Sequence, residues 1–77
     1  MSQKQLPPLP SLPPGVYTHY RGGQYEVIGL CRHSETLEPM VVYRHMKGER
    51  DLWVRPFAMF VENVEHNGKT VQRFQKI

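Results

Sequence analysis

The chain has 77 residues; setting aside a Pro-rich stretch over residues 1–14 leaves a body of about 60, enough for one domain with one core but not for a deep cavity inside a monomer. Ten Lys and Arg against seven Asp and Glu give a formal charge of +3. These charges are interleaved (Glu26 and Arg32, Glu49–Arg50–Asp51, Glu62 and Arg73), which argues against the one-sided basic face of a nucleic-acid binder.

Residues 5–14 read Gln-Leu-Pro-Pro-Leu-Pro-Ser-Leu-Pro-Pro. Proline fixes φ and lacks an N–H, so helix and central strand are both disfavoured and an extended polyproline arm is expected. Lys4-x-x-Pro7-x-x-Pro10 matches the ligands of proline-binding grooves, a match that arises easily by chance in Pro-rich tails.

From Gly15 the pattern becomes that of strands. Gly15 to Tyr20 alternates, Arg21-Gly22-Gly23 reads as a turn, and Tyr25 to Arg32 is a strand. Its middle is apolar on both faces, which predicts a central position covered on both sides. Cys31, in that run, reads as a small buried hydrophobe with an inert thiol. As the lone cysteine it allows neither an intrachain disulfide nor an all-cysteine zinc site.

His33 to Pro39 is a polar connection, and Met40-Val-Val-Tyr-Arg-His45 is a second strand. Lys47-Gly48 marks a tight turn before a third strand, Leu52 to Arg55, stopped by Pro56. Phe57 to Val61 fits a helical turn or a strand start. Asn67-Gly68 is a strong hairpin signal. A two-residue turn there sets residues 61–66 against 69–74, with Val64 facing Val71, Glu62 facing Arg73 and Val61 facing Phe74.

No helical period longer than about one turn emerges. The expected fold is all-β, a small SH3-like barrel of about five or six short antiparallel strands over residues 15–77, preceded by the arm.

Several segments carry a resemblance. They are Tyr17-Thr-His19-Tyr20-Arg-Gly-Gly-Gln-Tyr25-Glu-Val, His33-Ser34-Glu35-Thr36, Val41-Val42-Tyr43-Arg44, Trp53-Val54-Arg55-Pro56, Met59-Phe60 and Arg73-Phe74. Taken in order, over about residues 15–74, they resemble domain of unknown function 1653, a family of small, mainly bacterial proteins. The resemblance implies an SH3-type barrel and no particular activity. The family also occurs as a module beside other domains, which implies an accessory role. Residues 1–14 fall outside the shared pattern.

Among residues that could carry chemistry, His33 and Glu35 point the same way if their segment is extended, as an acid–base pair or two metal ligands would. Ser34 then points away, so no Ser–His–acid triad forms. The competing reading is a turn held by local hydrogen bonds.

Trp53 and Arg55 share a face of their strand. If Leu52 and Val54 fill the core, that face is outward and offers an aromatic surface beside a carboxylate-matching fork. Tyr43 with Trp53 would make an aromatic floor, though a tyrosine in a small barrel is more commonly a core residue with its hydroxyl at the rim.

The spacings of His19, His33, His45 and His66 match no metal motif, and Gly22-Gly23 precedes a strand rather than a helix, so neither a metal nor a phosphate-binding cofactor is expected. The sequence therefore supports a non-catalytic module that binds a peptide or small anion through His33, Glu35, Tyr43, Trp53 and Arg55. A nucleic-acid-binding module is the alternative, and a small hydrolase built on His33 and Glu35 ranks third. Nothing approaches the roughly 18–20 apolar residues of a membrane span. The first residues lack the apolar stretch of a signal peptide, so a cytoplasmic location is expected.

Overall fold

A computed structural model describes residues 6–77. The beginning of the arm, with Lys4 of the proline-ligand pattern, lies outside the described residues. Residues 6–14 adopt neither helix nor strand. They lie against the body: Leu12 packs on the core, the Tyr17 hydroxyl donates to the Pro13 carbonyl at 2.7 Å, and the Arg32 guanidinium donates to the Pro7 carbonyl.

Seven strands and one helical turn follow: β1 Gly15–His19, β2 Gln24–Arg32, β3 Pro39–His45, β4 Trp53–Pro56, α1 Phe57–Phe60, β5 Asn63–His66, β6 Lys69–Gln72 and β7 Phe74–Lys76. The fold is all-β. One antiparallel sheet runs β4-β3-β2-β1-β7, and β5 and β6 form a separate hairpin. An SH3-like closure is compatible with this arrangement.

The hairpin register is set by Asn67 (φ 54°) and Gly68 (φ 77°), the paired left-handed residues of a tight two-residue turn. Val64 stands opposite Val71. The ladder is shorter than the sequence suggests, because the expected last strand divides at Arg73. The Arg73 N–H donates to the Glu62 carbonyl at 3.0 Å and its side chain pairs with the Glu62 carboxylate. Beyond this point the chain turns away. Phe74 pairs with His19 of β1 instead of facing Val61, and the count rises from the expected five or six strands to seven. Phe57–Phe60 resolves as a helical turn, consistent with the fixed φ of Pro56 just ahead of it.

The core is Tyr17, Val27, Val41, Tyr43, Phe60 and Phe74, with Leu12, Tyr25, Leu30 and Phe57 packed around it. Aromatic geometry organises it. Phe60 stacks on Phe74 at 4.1 Å between centroids and meets Tyr17 edge-on at 5.5 Å.

Two expectations for β2 fail together. The strand is central, third of five, but its second face is not covered: Ile28 is 43% exposed. Cys31 is half-buried and outside the core cluster rather than buried within it. The cause is a register shift between Val27 and Gly29, which inserts Ile28 as an extra residue. The bulge lets Val27 and Leu30, an odd and an even position, both reach the core, and it leaves Cys31 on the other parity.

Candidate functional site

The face of the sheet that carries the core continues past it as an aromatic surface. Strand register fixes which residues share it. Trp53 lies opposite Tyr43, Arg55 opposite Val41, and Tyr25 opposite His45. Since Val41 and Tyr43 are buried core residues, their partners Arg55 and Trp53 stand on the core side of β4, because residues opposite one another in a ladder face the same way.

This reverses the expected parity of β4. Trp53 and Arg55 were expected outside, with Leu52 and Val54 in the core; instead Leu52 is 60% and Val54 53% exposed. The reason is the β3–β4 register, which sets Trp53 and Arg55 opposite the core residues Tyr43 and Val41 and turns Val54 to the opposite face. Trp53 stands opposite Tyr43 and is itself 47% exposed.

Tyr43, Trp53 and Arg55 are thus brought together. Arg55 Nε donates to the Tyr43 hydroxyl at 3.0 Å. Its guanidinium carbon lies 5.8 Å from the Tyr43 ring centre and 5.5 Å from that of Phe74. Tyr43 is a core residue, 6% exposed, with its hydroxyl engaged by Arg55.

The surface includes residues the sequence did not single out. Tyr25 meets Tyr43 at 5.7 Å and His45 at 5.0 Å, and His45 meets Trp53 edge-on at 6.4 Å. Tyr25 and His45 line an open groove with Gly23, Gln24, Met46 and Lys47. The period-two spacings Tyr43/His45 and Trp53/Arg55 were the available signal, since they place each pair on one face.

His33 and Glu35 are not part of this surface. They sit in the β2–β3 turn, outside the strands β3 and β4 that carry Tyr43, Trp53 and Arg55. The segment is a turn rather than an extended pair. His33 Nδ1 accepts from the backbone N–H of Glu35 at 3.1 Å and of Thr36 at 3.3 Å, and the His33 carbonyl accepts from Leu37 N–H at 2.8 Å. The imidazole acts as a turn cap, and the acid–base arrangement is not formed.

His19, on the same face as Tyr25 and Phe74, has its pKa pushed below the ordinary 6.5, first by burial and then by the positive charges of Arg55, Arg73 and Arg21. Its ring is held 4.8 Å from Phe74, and Nδ1 accepts from the Arg21 N–H at 3.1 Å. A pKa lowered by folding means that the unfolded chain takes up the proton more readily. Stability is therefore complete above about pH 6.5 and declines as pH falls from there toward the lower folded-state value. Urea midpoints measured from pH 8 to pH 5 should fall, and His19→Gln should flatten the slope. An unchanged slope in that variant would remove His19 from the account.

Fold and face together define a small all-β domain that presents an aromatic surface with one embedded guanidinium. The chain belongs to the family described as protein of unknown function (DUF1653), whose model matches residues 15–76. It is similar to the crystal structure of a DUF1653 protein from Bordetella bronchiseptica, with 32% identity over 86% of this chain and 87% of that one and a TM-score of 0.78. No curated protein matches the chain.

Proposed function

We propose that this domain is a non-catalytic binding module whose Trp53 and Arg55, the latter held in place by Tyr43, recognise a peptide or small molecule carrying an anionic group. One observation carries the reading. Arg44 and Arg50 pair with Glu26, Arg73 pairs with Glu62, and Arg32 donates to the Pro7 and Leu37 carbonyls, whereas Arg55, like Arg21 in the β1–β2 turn, has no carboxylate partner among the described residues. Its cation lies over the Tyr43 and Phe74 rings, on the same strand face as half-exposed Trp53. A fixed fork with no internal counter-ion is complementary to a carboxylate or phosphate.

The same pairing pattern speaks against nucleic acid, because Glu26 and Glu62 lie among the arginines of this domain and interrupt any continuous basic face. His33, engaged with its own turn, speaks against hydrolysis. No helix of the described residues is long and apolar enough to cross a membrane. A bacterial cytoplasmic setting is part of the proposal, supported by the lone cysteine and by the origin of the similar structure.

Trp53 is the only tryptophan, so its emission reports this face alone. Titration with N-acetylglutamate should shift that emission, while its uncharged amide analogue should not. A shift seen only with a short oligothymidylate, and lost steeply as salt rises, would overturn the proposal in favour of nucleic acid.

A further inference from the structure

The two free edges of the five-stranded sheet differ. β7 ends in exposed Gln75 and Lys76, and an edge lysine discourages the approach of another strand. At the opposite edge β4 bonds β3 along one side, and its other side carries no backbone hydrogen bond to any described residue. The exposed residues here are Leu52, Trp53 and Val54, an apolar run with no charge before Arg55. Only Pro56, at the strand's end, limits pairing. An edge of this composition is a template for an added strand.

Charge selects the occupant. At the Trp53 end of the edge stands Glu49, whose carboxylate accepts from the indole N–H at 3.5 Å and from Asp51 N–H at 2.7 Å. At the other end is Arg55, without a carboxylate partner among the described residues. A strand laid beside β4 about 4.8 Å away would place two of its own residues, i and i+2, next to Trp53 and Arg55 on the same face. The favourable pair is an apolar side chain at the first and a carboxylate at the second.

Resting on the binding role proposed above, we infer that the ligand is an extended acidic peptide that joins the sheet as a strand beside β4, with an apolar residue against Trp53 and an acidic residue two positions away against Arg55. Backbone bonds to the edge supply affinity, and the two side-chain contacts supply specificity.

Capped heptapeptides test this with the whole chain. TVLTEVT and its reverse TVETLVT carry leucine and glutamate on one face for the two strand directions. In TVTLEVT the same residues are adjacent and face opposite ways. One of the first two should shift Trp53 emission and slow hydrogen exchange of the amides of residues 53–55, while TVTLEVT binds at least about tenfold more weakly. Methylating alternate peptide nitrogens should abolish binding in one register and spare it in the other.

Binding without protection of β4, or insensitivity to methylation in both registers, would overturn the edge inference and leave the anion-binding role standing. So would a response to N-acetylglutamate with none to any heptapeptide. No response to any of these probes would remove both. Peptide-independent protection of β4 together with a dimer in sedimentation would assign the edge to a second copy and overturn the inference.

Discussion

Phe60→Ala should lower stability by about 3–5 kcal/mol, the usual cost of emptying a buried phenylalanine site. Phe60 is 1% exposed and is the fully buried residue that α1 gives to the core, with Phe57 packed at its edge. It stacks nearly parallel on Phe74, meets Tyr17 edge-on and lies 6.4 Å from Tyr43. Truncation opens a void that these three rings cannot close, because Tyr17, Tyr43 and Phe74 are each fixed by strand register in the sheet. A domain of this size commands about 0.05–0.15 kcal/mol per residue, so the loss is a large share of its stability. Urea unfolding followed by far-UV circular dichroism measures it, and Phe60→Leu, which retains most of the apolar volume, should cost clearly less. A loss below about 1 kcal/mol for the alanine variant would show that the core is centred elsewhere.

Much of this architecture is legible in the residues, and the places where it is not share a cause. The hairpin is legible because Asn67-Gly68 specifies both a turn type and a register, and the register then matches valine to valine. β1, β2 and β3 are legible from β-branched and aromatic runs between glycine and proline breaks. Which face of a strand is buried is a different kind of fact. Alternation gives two sets, and only neighbouring strands choose between them.

For β4 the apolar pair Leu52 and Val54 points to the wrong set, since the buried face is chosen by its register with β3 and not by its own composition. For β2 the bulge at Ile28 changed parity within the strand, which no alternation rule can anticipate. The functional face follows the same logic. Tyr43, Trp53 and Arg55 were identifiable by type, but their meeting depends on the β3–β4 register. Tyr25 and His45 join them only through the β2–β3 register. His33 and Glu35 looked like a pair because the spacing i, i+2 is meaningful in a strand; they stand in a turn, where it is not.

Arg55→Ala should weaken binding of TVLTEVT, or of its reverse if that is the bound direction, by about 100-fold, the scale of losing one partner of a desolvated charge pair. Arg55 is also structural, and the two roles must be separated. Its Nε bond to the Tyr43 hydroxyl and its place over two rings predict a stability loss of about 1–2 kcal/mol in the alanine variant. Tyr43→Phe isolates the structural share, because it removes the hydroxyl acceptor and keeps both the ring and the guanidinium. That variant should lose about 1 kcal/mol of stability and retain most of its affinity. Arg55→Lys keeps the charge without the planar fork and should fall between the wild type and alanine in affinity. The decisive comparison uses a peptide in which glutamine replaces glutamate. If the guanidinium meets the carboxylate, the wild type prefers the acidic peptide strongly and Arg55→Ala does not discriminate. Equal losses for acidic and neutral peptides would mean that Arg55 acts only by holding Tyr43 and Phe74 in place, and the anion site would then have to be given up.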